Sequence, residues 1–137
     1  MTREEISRII AEYCAGRSEI GACYLFGSYA RGKERPGSDV DVAFLLDASV
    51  PRKRYYDLKM SYYLALCELL RLDIHPLIMN DAGEVVLEQV FRKGIAVFGG
   101  DSLECIRFRM TQSANIAEFL PLRERMETAL LRKYKEN

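Results

Sequence analysis

The chain has 137 residues, of which 49% are hydrophobic, and 20 lysine and arginine residues balance 20 aspartate and glutamate residues to a formal net charge of zero. A chain of this length builds one hydrophobic core, so we expect a single domain over residues 1–137. The balanced charge disfavours general coating of DNA or RNA, which requires a basic surplus to displace counterions from phosphates. Because no apolar run approaches the about 18 residues of a membrane span, we expect a cytoplasmic protein without a membrane anchor.

Helices and strands are predicted to alternate along the chain. A capping box at Thr2 and Glu5 predicts a helix from about Arg3 to Ala15, and Gly16 suits a left-handed end. Apolar patterns then predict strands over 20–26, 40–46, 72–79 and 95–98, and helices over 55–70, 83–93 and from about 102 onward. This alternation is typical of an α/β or α+β domain with one sheet.

The four cysteines are widely separated, and none forms the C-x-x-C pair that zinc sites and redox motifs use. Free cysteine behaves as a small hydrophobic residue, and each of these lies among apolar or helical neighbours. We therefore expect reduced, buried thiols at Cys14, Cys23, Cys67 and Cys105, without a chemical role.

Two carboxylates lie at the start of the second predicted strand. Asp39 and Asp41 are two residues apart, and alternate side chains of a strand point to the same face, so their carboxylates are expected side by side. Because like charges repel, a divalent cation is the simplest physical reason for such a pair, and oxygen ligands favour Mg²⁺ or Mn²⁺ over zinc. Two solvated carboxylates at a strand entrance are the alternative interpretation of this pair alone.

A glycine and a serine directly follow the first predicted strand, where the chain turns into a predicted helix. Gly27 lets the backbone approach a ligand closely, and exposed amides together with the Ser28 hydroxyl can bind phosphate oxygens. Arg31 and Arg35 follow in the next loop and are candidates for neutralising phosphate charge, although a solvated loop is the alternative. This pattern predicts a phosphate site one strand away from the carboxylate pair.

Gly27-Ser28, ten further residues and Asp39-Val40-Asp41 form the pattern of the polymerase-β-like nucleotidyltransferases. Segments 27–32 and 35–41, followed by 73–74, 80–82 and 90–94, resemble the minimal nucleotidyltransferases of the MntA type. The resemblance covers the larger, N-terminal part of the chain and fits the terminal helix loosely. It implies an α/β (α+β) polymerase-β-like nucleotidyltransferase fold, in which helices flank a mixed central sheet.

The resemblance also assigns roles to individual residues. It implies a third catalytic and metal-binding carboxylate at Asp73, beside Asp39 and Asp41, and binding of two Mg²⁺ ions, or Mn²⁺, with ATP as the substrate. An aspartate within an apolar strand is unusual, and an ordinary strand-end cap is the alternative for Asp73. His75 departs from the expected sequence of that strand, and a packed or hydrogen-bonded structural histidine is favoured there over a catalytic one. Gly27, Ser28, Arg31 and Arg35 would bind the nucleotide.

The partner of such a domain is implied by the resemblance alone. It is a HEPN-domain ribonuclease toxin encoded by the adjacent gene, and the antitoxin transfers AMP from ATP to a tyrosine of that toxin within a complex. An adenylyltransferase for a small hydroxylated molecule such as an aminoglycoside is one alternative. A non-catalytic antitoxin that only masks its partner is another. The sequence leaves open the acceptor hydroxyl, the nucleotide preference, the number of AMP units and the stoichiometry.

Overall fold

The computed structural model describes residues 1–112, 114, 125, 128–129 and 131–132. Its helices and strands follow in the order α1 (Arg3–Ala15), β1 (Ile20–Phe26), α2 (Gly27–Ala30), β2 (Val40–Leu46), α3 (Tyr55–Leu70), β3 (Ile74–Ile78), α4 (Glu84–Lys93) and β4 (Ile95–Phe98). Residues 103–112 are also helical, and most of the terminal helix expected beyond them lies outside the described residues.

The first helix forms where the capping box predicts it. The Thr2 hydroxyl oxygen accepts a hydrogen bond from the Glu5 amide at 3.1 Å, which satisfies one of the unpaired donors at the helix start. Gly16 ends the helix with φ −85°, so the left-handed end expected there is wrong. The amide of Gly16 donates to the Tyr13 carbonyl at 3.2 Å and that of Arg17 donates to the Cys14 carbonyl at 3.0 Å. These bonds carry the chain out of the helix without a positive φ.

The four strands form one mixed sheet in the order β3-β2-β1-β4. β1 pairs antiparallel with β2 and β4, whereas β2 and β3 are parallel and joined by the crossover through α3. This arrangement confirms the mixed central sheet. The topology also determines which strand ends lie together. The end of β1 and the starts of β2 and β3 are at the same end of the sheet.

Helices cover both faces of the sheet because neighbouring residues of the central strands are buried on opposite sides. One core joins Val42 and Phe44 to buried residues of α1 and α3, including Ile6 and Tyr62. The second core joins strand residues on the other face to α4 and to the helix at 103–112 through Leu45, Tyr24, Leu87, Val90 and Cys105. Each large apolar side chain buried in this way contributes about 1.5–3 kcal/mol relative to exposure. The result is a three-layer domain with the sheet in the middle.

The third strand is shorter than predicted. It begins at Ile74, because Arg71 ends α3 in the left-handed conformation with φ 56° and leaves residues 72–73 in the connection. Pro76 lies in this strand, which is tolerated because β3 is at the edge of the sheet.

The four cysteines form no disulfide, as predicted, and the prediction that all four are buried is confirmed in part. All four thiols are free, and Cys67 is only half-buried while the other three are buried. Within the described residues, no helix is both long enough and apolar enough to cross a membrane.

Candidate active site

The sheet topology brings the motif residues to one end of the sheet. Phe26, the last residue of β1, pairs with Asp41 on β2, so Gly27 follows directly beside that aspartate. In the parallel pair, Asp41 lies opposite His75 of β3, and the Val40 amide donates to the Asp73 carbonyl at 2.8 Å. Residues far apart in the chain therefore lie in the spatial order Asp73, Asp39 and Asp41, then Gly27.

Gly27 is required at its position for two independent reasons. Its φ is +70°, in the left-handed region that side chains disfavour. A Cβ atom added there would also collide with Oδ2 of Asp41, because the carboxylate lies directly against the Gly27 backbone. The glycine predicted to allow close approach of a ligand thus first allows close approach of the Asp41 carboxylate.

The other oxygen of the Asp41 carboxylate contacts a histidine. Oδ1 of Asp41 accepts a hydrogen bond from Nδ1 of His75 at 3.0 Å. The Asp41 side chain is 23% exposed and the His75 side chain is 73% exposed. His75 is therefore hydrogen-bonded, as its favoured interpretation predicted, and it lies within the candidate site itself.

Asp39 and Asp73 are both more exposed than Asp41. Asp39 immediately precedes β2 and Asp73 immediately precedes β3, and both residues are exposed. The sequence analysis predicted Asp73 within an apolar strand over 72–79. This prediction is wrong, because β3 begins at Ile74, one residue after Asp73. Since an exposed carboxylate is solvated, Asp73 needs no buried partner, and its carboxylate is accessible to a bound molecule.

The carboxylates suit a magnesium ion that is shared with a substrate. Within the described part of the chain, no three histidine, cysteine, aspartate or glutamate side chains lie close enough together to hold a metal ion. Mg²⁺ usually takes one or two carboxylates and completes its shell with water and substrate phosphates, so a dedicated three-residue cage is not required. Asp39 and Asp41 offer only oxygen ligands, and they fit this mode of binding, while metal binding by Asp73 stays a prediction.

The loop between α2 and β2 carries the two arginines expected to contact phosphate. Arg31 and Arg35 are both exposed. The Arg35 amide donates to the Ser38 hydroxyl at 2.8 Å, and the Ser38 amide donates to the Arg35 carbonyl at 2.9 Å. This turn closes the loop just before Asp39. It fixes the approach to the carboxylate pair, while a role of either guanidinium in phosphate binding stays a prediction.

A surface cleft of about 410 Å³ opens beside Asp73, between the end of α3 and the loop before β2. Its lining residues are Gly37, Ser38, Cys67, Arg71, Leu72 and Asp73. Sequence reasoning missed Cys67, which it treated as an inert thiol, and Arg71, which it left in an unremarkable connection. Only the position of Arg71 between a helical stripe and an apolar strand signals a tight turn there.

Tyr63, one helical turn before Cys67 in α3, has a raised pKa. The Cys67 thiol raises the pKa of Tyr63 above its usual value, and burial and then the negative charges of Asp73 and Asp39 add to this shift. The raised pKa of Tyr63 therefore comes mainly from Cys67, and Asp73 and Asp39 contribute less.

Comparison with known proteins agrees with the motif analysis. Residues 8–103 match the protein family described as polymerase beta nucleotidyltransferase, and this range contains every candidate site residue. No curated protein sequence matches the chain significantly.

Solved structures share the fold over nearly the whole chain. A chain of a toxin-antitoxin crystal structure with AMP-PNP is 21% identical, with a TM-score of 0.71 over 92% of this chain and 98% of that chain. A chain of the complex between the tri-AMPylated Shewanella oneidensis HEPN toxin and its MNT antitoxin is 18% identical, with a TM-score of 0.69 over 95% of this chain and 99% of that chain.

A structure described as a minimal nucleotidyltransferase is 28% identical, with a TM-score of 0.53, and covers 69% of this chain and 95% of that chain. These similarities confirm the predicted fold. The match over residues 8–103 covers most of the chain, which therefore belongs to the polymerase beta nucleotidyltransferase family.

Proposed function

We propose that this chain is a Mg²⁺-dependent adenylyltransferase that transfers AMP from ATP to a tyrosine hydroxyl of a partner HEPN-domain toxin and thereby acts as its antitoxin. The observation that carries the proposal is the packing of the Asp41 carboxylate against Gly27 at the sheet end that also bears Asp39 and Asp73. Similarity to chains of a toxin-antitoxin with AMP-PNP and of an AMPylated HEPN toxin complex supports the substrate and the partner.

The nucleotide would lie with its triphosphate against Gly27 and Ser28. Both residues are half-buried at the end of β1, where amides and a hydroxyl can donate to phosphate oxygens. Arg31 and Arg35 lie in the adjoining loop and would neutralise phosphate charge. In this position the α-phosphorus would face the carboxylates at the start of β2.

Asp39 and Asp41 would hold Mg²⁺, which would offset the negative charge that develops on the phosphates during the transfer. Gly27 and His75 orient the Asp41 carboxylate from its two sides. Because its carboxylate is already oriented, Asp41 would lose little side-chain conformational entropy when it binds the metal.

Asp73 would accept the proton of the acceptor hydroxyl. The oxygen then forms a bond to the α-phosphorus, the bond from that phosphorus to the bridging oxygen of the β-phosphate breaks, and its electron pair leaves with pyrophosphate. The exposure of Asp73 is compatible with this task, because its carboxylate must meet a group brought by another molecule.

The test is the transfer of label from ATP labelled at the α-phosphate to the HEPN-domain protein encoded next to this chain's gene. With Mg²⁺ present, we expect the wild-type chain to label the partner, and the double variant Asp39→Asn/Asp41→Asn to be at least about 100-fold slower. Asp47→Asn is the matched control, because Asp47 follows β2 at its opposite end. It should retain the wild-type rate.

Three other outcomes would contradict the proposal. Equal labelling by the wild-type and double-asparagine chains would exclude the carboxylate mechanism. Label that accumulates on an added aminoglycoside and not on the partner would indicate a small-molecule adenylyltransferase. Rescue of a toxic partner by the double variant would indicate an antitoxin that acts by binding alone.

A further inference from the structure

We propose that the cleft formed by Gly37, Ser38, Cys67, Arg71, Leu72 and Asp73 binds the side chain that carries the acceptor hydroxyl, and that it is built for an uncharged phenol. This inference rests on the proposed function, whose acceptor site it locates on this chain.

The cleft and the proposed phosphate site lie on opposite sides of β2. Gly27 and Ser28 follow β1, whereas Asp73 precedes β3. Between these strands lies β2, with Asp39 just before it and Asp41 at its start. In-line displacement at the α-phosphorus requires the attacking oxygen and the departing pyrophosphate to lie on opposite sides. A triphosphate on the β1 side therefore leaves the β3 side for the acceptor, and the cleft opens there.

The wall of the cleft combines apolar surface with one positive and one negative side chain. Leu72 and Cys67 supply apolar surface, Arg71 supplies a guanidinium that can stack on an aromatic ring, and Asp73 supplies a carboxylate at the rim. One positive and one negative group leave the lining without a net positive charge, so it does not favour phosphate. An aromatic ring with a neutral hydroxyl matches this combination of apolar surface, guanidinium and carboxylate.

The size of the cleft also suits a side chain. Its volume of about 410 Å³ falls in the range of small-molecule binding sites. Arg71 lines the cleft and ends α3 with φ 56° and ψ 33°. A non-glycine residue in this conformation is uncommon, and such residues concentrate at functional sites.

Cys67 provides a direct reporter of occupancy. It is the half-buried thiol that lines the cleft, whereas Cys14, Cys23 and Cys105 are at most 1% exposed. Alkylation of the native chain with a maleimide, followed peptide by peptide with mass spectrometry, would therefore measure access to the cleft. This readout needs no catalysis.

The expected result is that N-acetyl-tyrosinamide at millimolar concentration slows alkylation of Cys67, whereas N-acetyl-alaninamide and Mg²⁺ with AMP-PNP do not. Protection by the nucleotide would show that the cleft holds part of ATP, and absence of protection by the tyrosine probe would show that it does not hold the acceptor. Either result overturns the inference. Protection by the tyrosine probe in a chain that transfers no AMP would instead sustain the cleft and contradict the proposed function.

Kinetics with the HEPN-domain partner give a second test. Arg71→Ala should raise the KM for the partner about three- to tenfold while the KM for ATP stays unchanged, because one ring-stacking contact is lost. Arg54→Ala is the matched control, because Arg54 is exposed at the opposite end of α3. Equal effects of both variants on the partner, or a parallel loss of ATP affinity, would overturn the inference.

Discussion

Nδ1 of His75 lies 3.0 Å from Oδ1 of Asp41, and this contact joins two strands through residues that are 34 positions apart. It exists because the parallel register of β2 and β3 places the two residues directly opposite each other. Neighbouring positions of parallel strands point to the same face of a sheet. A carboxylate proposed to bind metal is therefore oriented by a side chain of the adjacent strand.

The first prediction concerns His75. His75→Ala should lower the rate of AMP transfer about tenfold, because loss of a group that orients a metal ligand typically has this effect. The free energy of unfolding should change by less than about 1 kcal/mol, since the His75 side chain is 73% exposed. His75→Asn places an amide donor close to the position of Nδ1 and should restore most of the activity. An alanine variant with full activity would show that Asp41 needs no such contact.

The second prediction concerns the close packing at Gly27. Gly27→Ala should lose both the positive φ that glycine permits and the space that Oδ2 of Asp41 occupies. We expect a destabilisation of about 2–4 kcal/mol from the sum of these effects, measured by denaturant unfolding. Affinity for Mg²⁺ with ATP should fall as well, because the Asp41 carboxylate must move.

Gly32→Ala separates the two effects. Gly32 has φ +66°, but nothing lies within 4 Å of an added Cβ atom, so only the backbone cost of about 1–2 kcal/mol should remain. If both variants were destabilised equally, the collision with Asp41 would have no energetic weight.

The third prediction concerns the backbone of Arg71. Arg71→Gly should stabilise the fold by about 0.5–1 kcal/mol. The free-energy cost of the left-handed conformation, which glycine does not have, is larger than the entropic cost of ordering the more flexible glycine on folding. Arg71→Ala removes the same guanidinium but retains the conformational cost, so it should bring no such gain. Thermal unfolding of the two variants compares them directly. A glycine variant less stable than the alanine variant would contradict this assignment of strain.

The fourth prediction concerns alkaline stability. Burial and the nearby Cys105 thiol raise the pKa of Tyr24 to about 12 from an ordinary value of 10.0. Burial, followed by the hydrogen bond from the Tyr62 hydroxyl to Oε1 of Glu19 at 2.9 Å, raises the pKa of Tyr62 further. Below the pKa of tyrosine in the unfolded chain, both hydroxyls are protonated and contribute fully to the stability of the folded state. Their contribution is lost as the pH rises from that value through the folded pKa.

Stability measured by denaturant unfolding should therefore fall above about pH 10, and tyrosinate absorbance should rise together with unfolding. Tyr62→Phe should flatten the alkaline decline, although loss of the bond to Glu19 costs about 1 kcal/mol at neutral pH. Tyr56→Phe is the control, because Tyr56 is 66% exposed. A decline that is unchanged in Tyr62→Phe but altered in Tyr56→Phe would refute this account.

Much of the fold follows from the sequence by itself. The capping box at Thr2 and the apolar pattern of 55–70 predict the bounds of α1 and α3, because both patterns act over a few neighbouring residues. The spacing of Gly27 and Asp41 likewise suffices to identify the family motif. Capping patterns and hydrophobic periodicity involve residues that are close together in the chain, so they can be identified from the sequence alone.

The arrangement of the site was decided only by tertiary structure. Strand register places Asp41 between Gly27 and His75, and no local pattern encodes contacts across strands. The helix α3 ends at the left-handed Arg71, two residues before the exposed Asp73, and both residues line the cleft. Motif residues are thus readable from the sequence, whereas their mutual contacts depend on which strand ends the fold brings together.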